Sequence, residues 1–399
     1  MTWINAECIA LRLLCALHVK TCLLHNPAAV GRHWTSSPGC SKVQPMSETQ
    51  DTDPLPPRAN PELLGQEAAE AELLRSFSSG RLPHAWLIAG QGGIGKATLA
   101  FRFARYLFCE GRRRPDSLAT DVADPVFRRV ASSGHADLLT IERQFDEEKG
   151  KFKKDVAVDD VRRIAPFLRL TAAEGGWRVV VLDGADGMNR AGQNAVLKIL
   201  EEPPKGALLM LVTERPSALL PTIRSRCRLL TLPPLADAVV DRLLAAHHPE
   251  LDAATRAGLV HVAAGSIGRA LEIARHDGLA LLTQFLTIAG SDPVDWPAAH
   301  ALSDKLASPS ADESYRSFAQ LLIDWLGRTA REMAGETDRV GRLSGEERLI
   351  ARLKGAGRLE QLLEVWEKIT HLFARSDGAN LDRRLTVISA FNTVSAALR

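Results

Sequence analysis

The stretch Gly90-Gln91-Gly92-Gly93-Ile94-Gly95-Lys96 has the G-x4-G-K spacing that can wrap a phosphate group. Glycines let successive backbone N–H groups turn inward on an anion, and the lysine adds positive charge. A helix starting at once adds the field of its N-terminus. The flanking residues supply that setting. Ala85-Trp86-Leu87-Ile88-Ala89 is a short apolar run that reads as a buried strand, and Leu99, Phe103, Tyr106 and Leu107 recur at helical spacing after the loop. Gly90, Gly92, Gly93, Gly95 and Lys96 are therefore candidate nucleotide-binding residues. The plain alternative is a Gly-rich turn carrying a solvated lysine.

Two positions depart from what hydrolysis needs. After the lysine, a Ser or Thr hydroxyl would help hold magnesium, and here stands Ala97. Thr98 follows and joins the candidates, although one step along a helix turns a side chain by ~100°. The second acidic element is Val179-Val180-Val181-Leu182-Asp183-Gly184-Ala185-Asp186. Asp183 ends a buried strand, where ligands bind in open α/β sheets, and is the expected partner of a metal–nucleotide. The next position, where an active ATPase places a water-activating Glu, is Gly184; Asp186 reads as the N-cap of the following helix. A nucleotide site that is retained but degraded is expected, with magnesium binding impaired and ATP binding left open.

The positioning elements follow from the hydrophobic pattern. Leu138-Leu139-Thr140-Ile141, Val179-Val180-Val181-Leu182 and residues 208–212 are apolar without alternation. Such strands are covered on both faces, which implies a parallel sheet flanked by helices. Helices are expected near 158–170 and over 193–202, the second stopped by Pro203-Pro204. Beyond Leu235 strands cease, and Leu235, Val239, Val240, Leu243 and Leu244 mark an amphipathic helix. After Ser291-Asp292-Pro293 the text is helical throughout. Tyr315, Phe318, Leu321, Leu322, Trp325 and Leu326 form one stripe there, and Leu359, Leu362, Leu363, Trp366 and Ile369 another. Both stripes read as core or subunit contact.

Length and composition set outer bounds. The 399 residues call for two or three domains, and 45% hydrophobic with 25% charged residues is ordinary for a globular protein. A net charge of +2 is too small for a protein that grips a duplex alone, so any role on DNA is shared with partners. No run approaches the ~20 apolar residues of a membrane span. Cys8, Cys15, Cys22 and Cys40 crowd the start, leaving Cys109 and Cys227 for the body, with no CxxC unit for zinc. That usage fits a reducing cytoplasm. Residues 1–45 read as an upstream extension, with the functional protein starting at Met46 and a polar, Pro-rich leader over 46–62.

Three further strings carry a resemblance. Asn194-Ala195-Val196-Leu197-Lys198-Ile199-Leu200-Glu201-Glu202-Pro203-Pro204 resembles the N-A-L-L-K-x-L-E-E-P-P segment of bacterial clamp-loader subunits. Pro221-Thr222-Ile223-Arg224-Ser225-Arg226-Cys227 matches their Ser-Arg-Cys motif, and Gly265-Ser266-Ile267-Gly268-Arg269-Ala270-Leu271 is similar to their sensor-2 region. Thr213 falls where sensor 1 would lie. The likeness covers residues 63–285.

The resemblance implies an AAA+ P-loop domain over 63–233, a small helical lid over 234–288 and an all-helical, oligomerising collar over 289–399. It implies partners too: the delta and gamma/tau subunits of DNA polymerase III, and through them the sliding clamp and primed DNA. Ala97, Gly184 and the lone Cys109 depart from the motor branch and point to the delta-prime branch, without zinc. In that family the arginine of Ser-Arg-Cys reaches ATP bound on the neighbouring subunit, which assigns Arg226 a catalytic part in trans. Arg269 would touch nucleotide only in this chain's own site. The alternatives are a motor-type ATPase and a purely structural assembly subunit.

Overall fold

The computed structural model describes residues 55–143, 145–146, 151–152, 156–174, 176–335, 343, 346–355, 359–379 and 381–398. The expected extension over 1–45, the start at Met46 and the leader up to 54 lie outside the described residues.

The strands are β1 (Ala85–Ala89), β2 (Leu138–Ile141), β3 (Phe145–Asp146), β4 (Lys151–Phe152), β5 (Arg178–Asp183), β6 (Ala207–Thr213) and β7 (Arg228–Thr231). Five of them form one sheet in the order β2-β5-β6-β1-β7, while β3 and β4 make a separate antiparallel pair. Every pairing in the large sheet is parallel, with Leu87 opposite Leu211 and Val181 opposite Met210. Alternate residues of a strand point to opposite faces, and here both faces are buried. Trp86, Ile88, Val179 and Met210 enter one core; Leu87, Val180, Leu209 and Leu211 enter the other. That double burial is why the strands read as unbroken apolar runs. β7 lies outside the sequence expectation, because at this sheet edge only Leu230 of its four residues is buried.

Helices α1 (Glu67–Ser78), α2 (Lys96–Phe108) and α3 (Pro125–Ala131) precede β2. The helix expected near 158–170 is two short ones, α4 (Val158–Arg162) and α5 (Ile164–Arg169). Pro166 explains the break: in a continuous helix its ring would meet the Arg162 carbonyl and remove a hydrogen bond, whereas in a first turn it is tolerated. Helix α6 (Arg190–Glu201) ends just before Pro203, as its sequence requires. A four-residue helix, α7 (Pro221–Arg224), leads into β7.

Three helices, α8 (Asp237–His247), α9 (Ala253–Ala263) and α10 (Ile267–Arg275), follow the sheet. The rest are α11 (Gly278–Ala289), α12 (Trp296–Ala307), α13 (Asp312–Met333), α14 (Glu346–Gly355), α15 (Leu359–Ala379) and α16 (Arg383–Leu398). Helix α11 falls within the expected lid, yet it packs into the C-terminal bundle. Phe285 stacks on Phe391 at 4.1 Å and tilts against Phe318 at 5.5 Å. Of the stripe on α15, Leu362 and Ile369 are buried while Leu363 and Trp366 remain exposed.

The chain before α1 is fastened to the sheet domain by two buried arginines of α2. Arg105 donates to the carbonyls of Arg58 at 3.0 Å and Asn60 at 2.8 Å, and Arg102 donates to the Pro61 carbonyl. Arg102 also pairs with Glu70 at 2.6 Å, and the Arg105 guanidinium lies 4.5 Å from the Phe127 ring centroid. Burial pulls Arg105 down to about 10, still charged at neutral pH. Residues 58–61, which the sequence places in a leader, thus belong to this fold.

Candidate nucleotide site

The loop between β1 and α2 sits at the carboxyl end of the parallel sheet, beside the ends of β5 and β6. Gly93, Gly95, Lys96, Thr98, Asp183 and Thr213 line one cavity of about 660 Å³. Ala97 lines it too, presenting a methyl group where magnesium would need an oxygen. Gly90 and Gly92 do not line it. Gly90 packs against the Leu232 backbone and Gly92 against the Glu214 carboxylate. The leader residues Asn60, Pro61 and Glu62, with Leu63 after them, close part of the wall.

The loop is latched to the helices that follow the sheet. Gly93 has φ +69°, and a Cβ there would fall 2.8 Å from the Cα of Gly268. Only glycine on both sides allows this approach. The Gly268 N–H donates to the Gly93 carbonyl at 3.0 Å, and the Ser266 hydroxyl donates to the Gly92 carbonyl at 2.7 Å. Gln66 joins the Ile94 carbonyl, at 3.3 Å, to that of Pro233, at 3.0 Å. Sequence reasoning gave neither Ser266 nor Gln66 a role. A Ser just before an apolar helix is an N-cap signal, and Ser266 does cap α10 by accepting the Arg269 N–H at 3.1 Å.

The charges are unbalanced toward acid. The Lys96 ammonium donates to the Gln91 carbonyl of its own loop. Burial pulls its pKa down, while Glu214, Asp183 and Asp186 pull it back up. Burial pushes the Asp183 carboxyl up, against the opposing effect of Lys96.

Asp186 does not cap the next helix. Asn189 does, accepting the Gly192 N–H at 2.9 Å. Asp186 instead ties the ends of β5 and β6 together. It accepts from the Thr213 hydroxyl at 3.1 Å and the Glu214 N–H at 3.3 Å, and pairs with Arg215 at 3.3 Å. Burial pushes this carboxyl up, but these hydrogen bonds together outweigh it and hold it below its ordinary value. The Thr213 hydroxyl is therefore already engaged.

Arg269 lies outside the cavity lining. Its guanidinium pairs with Asp324 of α13, whose other oxygen accepts from Gln320 at 3.0 Å. Residues 267, 268 and 271 face the cavity, so the arginine sits on another side of the helix. Arg226 is also remote from the lining. It pairs with Glu201 at 3.1 Å and donates to the Thr222 carbonyl at 3.1 Å, with 37% of its side chain exposed. Burial pushes the neighbouring Cys227 thiol up to about 12, which keeps it protonated at neutral pH.

The loop, Lys96 and the cavity volume fit the phosphates of a nucleotide. The surroundings do not fit hydrolysis through a loop-bound magnesium, because Ala97 offers no hydroxyl and Gly184 no carboxylate. Among the described residues no group of three or more His, Cys, Asp or Glu side chains is placed to hold a metal ion, and no helix is long and apolar enough to cross a membrane.

A family model described as DNA polymerase III, delta subunit, matches residues 65–236. The DNA polymerase III subunit delta' of Pseudomonas aeruginosa is 39% identical over 144 residues, which is 36% of this chain and 41% of that one. That of Escherichia coli K12 is 34% identical over 263 residues, 64% of this chain and 74% of that one. A gamma subunit-related protein of DNA polymerase III from Thermotoga maritima aligns with 82% of this chain and 100% of its own, at 18% identity and a TM-score of 0.35. The chain thus spans less than half of the Pseudomonas relative but about three quarters of the Escherichia coli one, and it belongs to the DNA polymerase III delta-prime family.

Proposed function

We propose that this chain is a clamp-loader subunit that lends Arg226 to ATP bound on a neighbouring subunit and does not itself hydrolyse ATP. One observation carries the reading: Arg226 stands outside the lining of this chain's own cavity, so any phosphate it serves is a neighbour's. A planar, permanently charged guanidinium suits charge spreading over the oxygens of a transferring phosphoryl group. The Glu201 pair is half-exposed, and such pairs are worth little, so Arg226 can exchange that partner at an interface.

In this reading Gly93, Gly95, Lys96, Thr98, Asp183 and Thr213 form a nucleotide cavity kept for binding or assembly. The partners are the delta and gamma/tau subunits, with the sliding clamp and primed DNA reached through the complex, in the cytoplasm. Residues 63–233 serve as the AAA+ domain, 234–288 as the lid, whose last helix α11 packs against the collar, and 289–399 as the collar. A purely structural assembly role is the second reading, and it is favoured by the bonds that already engage Arg226 within this chain. The test is the DNA- and clamp-stimulated ATPase of the reconstituted complex carrying Arg226→Ala. A partial fall with intact assembly supports the in-trans role; an unchanged rate leaves assembly alone.

A further inference from the structure

We propose that Gln193 is a positioning residue for Arg226, holding the base of the arginine turn from inside helix α6. The inference rests on the in-trans reading of Arg226. Gln193 is only 7% exposed, and its amide oxygen and both amide hydrogens are engaged. Its oxygen accepts the Leu220 N–H at 2.8 Å, and its nitrogen donates to the carbonyls of Met188 at 3.1 Å and Ala218 at 3.2 Å. Two of these partners lie in the segment that enters the arginine turn.

Leu220 is the N-cap residue of α7 and has no side-chain cap to offer. From it a hydrogen-bonded path runs to the arginine. The Leu220 carbonyl accepts from the N–H groups of Ile223 at 3.0 Å and Arg224 at 3.2 Å, and the Ile223 carbonyl accepts from that of Arg226 at 3.1 Å. A helix of four residues cannot hold its own shape, so its position is imposed from outside. Ile223, fully buried in the same core as Val196 and Leu200 of α6, supplies an apolar anchor. Gln193 supplies the polar one.

Helix α6 therefore meets the turn twice. Glu201, eight residues on, pairs with the guanidinium itself. The two contacts differ in kind. The Gln193 bond to Met188 is buried and those to Ala218 and Leu220 are part-buried, so losing one partner leaves the others poorly placed to find water. The Glu201 pair is half-exposed and exchangeable. The base of the turn is fixed while its tip is left free to change partner.

The test is the clamp-loading rate of the complete complex, reconstituted with its own partner subunits, alongside the melting temperature and assembly of each variant. Gln193→Met keeps the length of the side chain and removes its hydrogen bonds. It should lower the loading rate by about tenfold, because small misplacements of a reacting group are costly. The double variant with Arg226→Ala should be no slower than Arg226→Ala alone, since the two losses run through one group. A wild-type rate in Gln193→Met, or losses that simply multiply, would overturn the proposal while leaving the in-trans reading intact. An Arg226→Ala complex that loads normally sinks both. Should Gln193→Met not fold, Leu220→Pro deletes the same bond from the other side at a residue whose φ of −54° suits proline. A smaller loss, again absorbed by Arg226→Ala, supports the proposal; an unchanged rate overturns it.

Discussion

The Ser266 hydroxyl lies 2.7 Å from the Gly92 carbonyl and 3.1 Å from the Arg269 N–H, donating to the first and accepting from the second. One oxygen thus caps a helix and satisfies the phosphate loop. Ser266→Ala removes both bonds and should cost about 1–2 kcal/mol in urea unfolding. A loss within a few tenths of a kcal/mol would mean that the loop and α10 do not meet in solution.

Gly268→Ala gives a sharper test because its sign is diagnostic. In a helix that does not touch the loop, alanine is favoured over glycine by about 1 kcal/mol. Here its Cβ would sit 2.7 Å from the Cα of Gly93, backbone against side chain with no room to yield. Net destabilisation by about 1–3 kcal/mol is expected, read as a lower melting temperature.

The isolated chain should hydrolyse ATP at background rate, and Gly184→Glu should not restore turnover. Gly184 holds φ +78° and ψ +44°, a left-handed conformation that costs any other residue about 1–2 kcal/mol. A new Glu would also meet Arg143, whose Nε lies 3.4 Å from the Cβ position, and the Ala97 methyl would remain. Steady turnover abolished by Lys96→Ala would return the chain to the motor class.

Arg226→Lys should rescue little of what Arg226→Ala removes from the ATPase of the complex. An ammonium keeps the charge but lacks the planar fork. Rates of the three complexes, measured with clamp and primed DNA, decide whether geometry or charge alone matters.

Stability should fall as pH drops from 7 to about 5.5, through His135. Burial holds this ring below its ordinary 6.5; Arg129 pushes the same way, while Glu174 and Asp137 oppose. The Asp137 N–H donates to Nδ1 at 3.2 Å, which fixes the neutral ring as an acceptor there, and Phe108 stacks on it at 4.0 Å. With the folded value depressed, the unfolded chain takes up the proton first. The contribution is complete above 6.5 and lost progressively below it. His135→Phe should flatten the slope of unfolding free energy over that range, whatever its absolute stability.

The loop and the strand ends were legible because each is built from neighbours in sequence. A phosphate loop needs its glycines and lysine within seven positions, and a doubly covered strand needs an unbroken apolar run. What escaped depends on partners far along the chain. Arg269 is turned to Asp324, 55 residues away, and nothing in local periodicity announces that pairing. Asp186 looked like a cap because caps are local. Its real partners, Thr213 and Arg215, come from the end of β6 and the residues just beyond it. Gln193 stands one residue before the Asn194–Pro204 string, and its three bonds close only when residues 188 and 218–220 converge.

The two arginines of α2 grip carbonyl oxygens of residues 58, 60 and 61, and none of the side chains there. Recognition of main chain alone is indifferent to spelling but not to count. Point replacements across this strap should be nearly silent, while deleting or inserting one residue shifts every oxygen out of reach of a guanidinium that cannot return to water. The strap also closes part of the cavity wall at Asn60 and Pro61. Its tolerance to drift in letters, joined to intolerance of drift in length, is a property that the arginines impose from the opposite side of the contact.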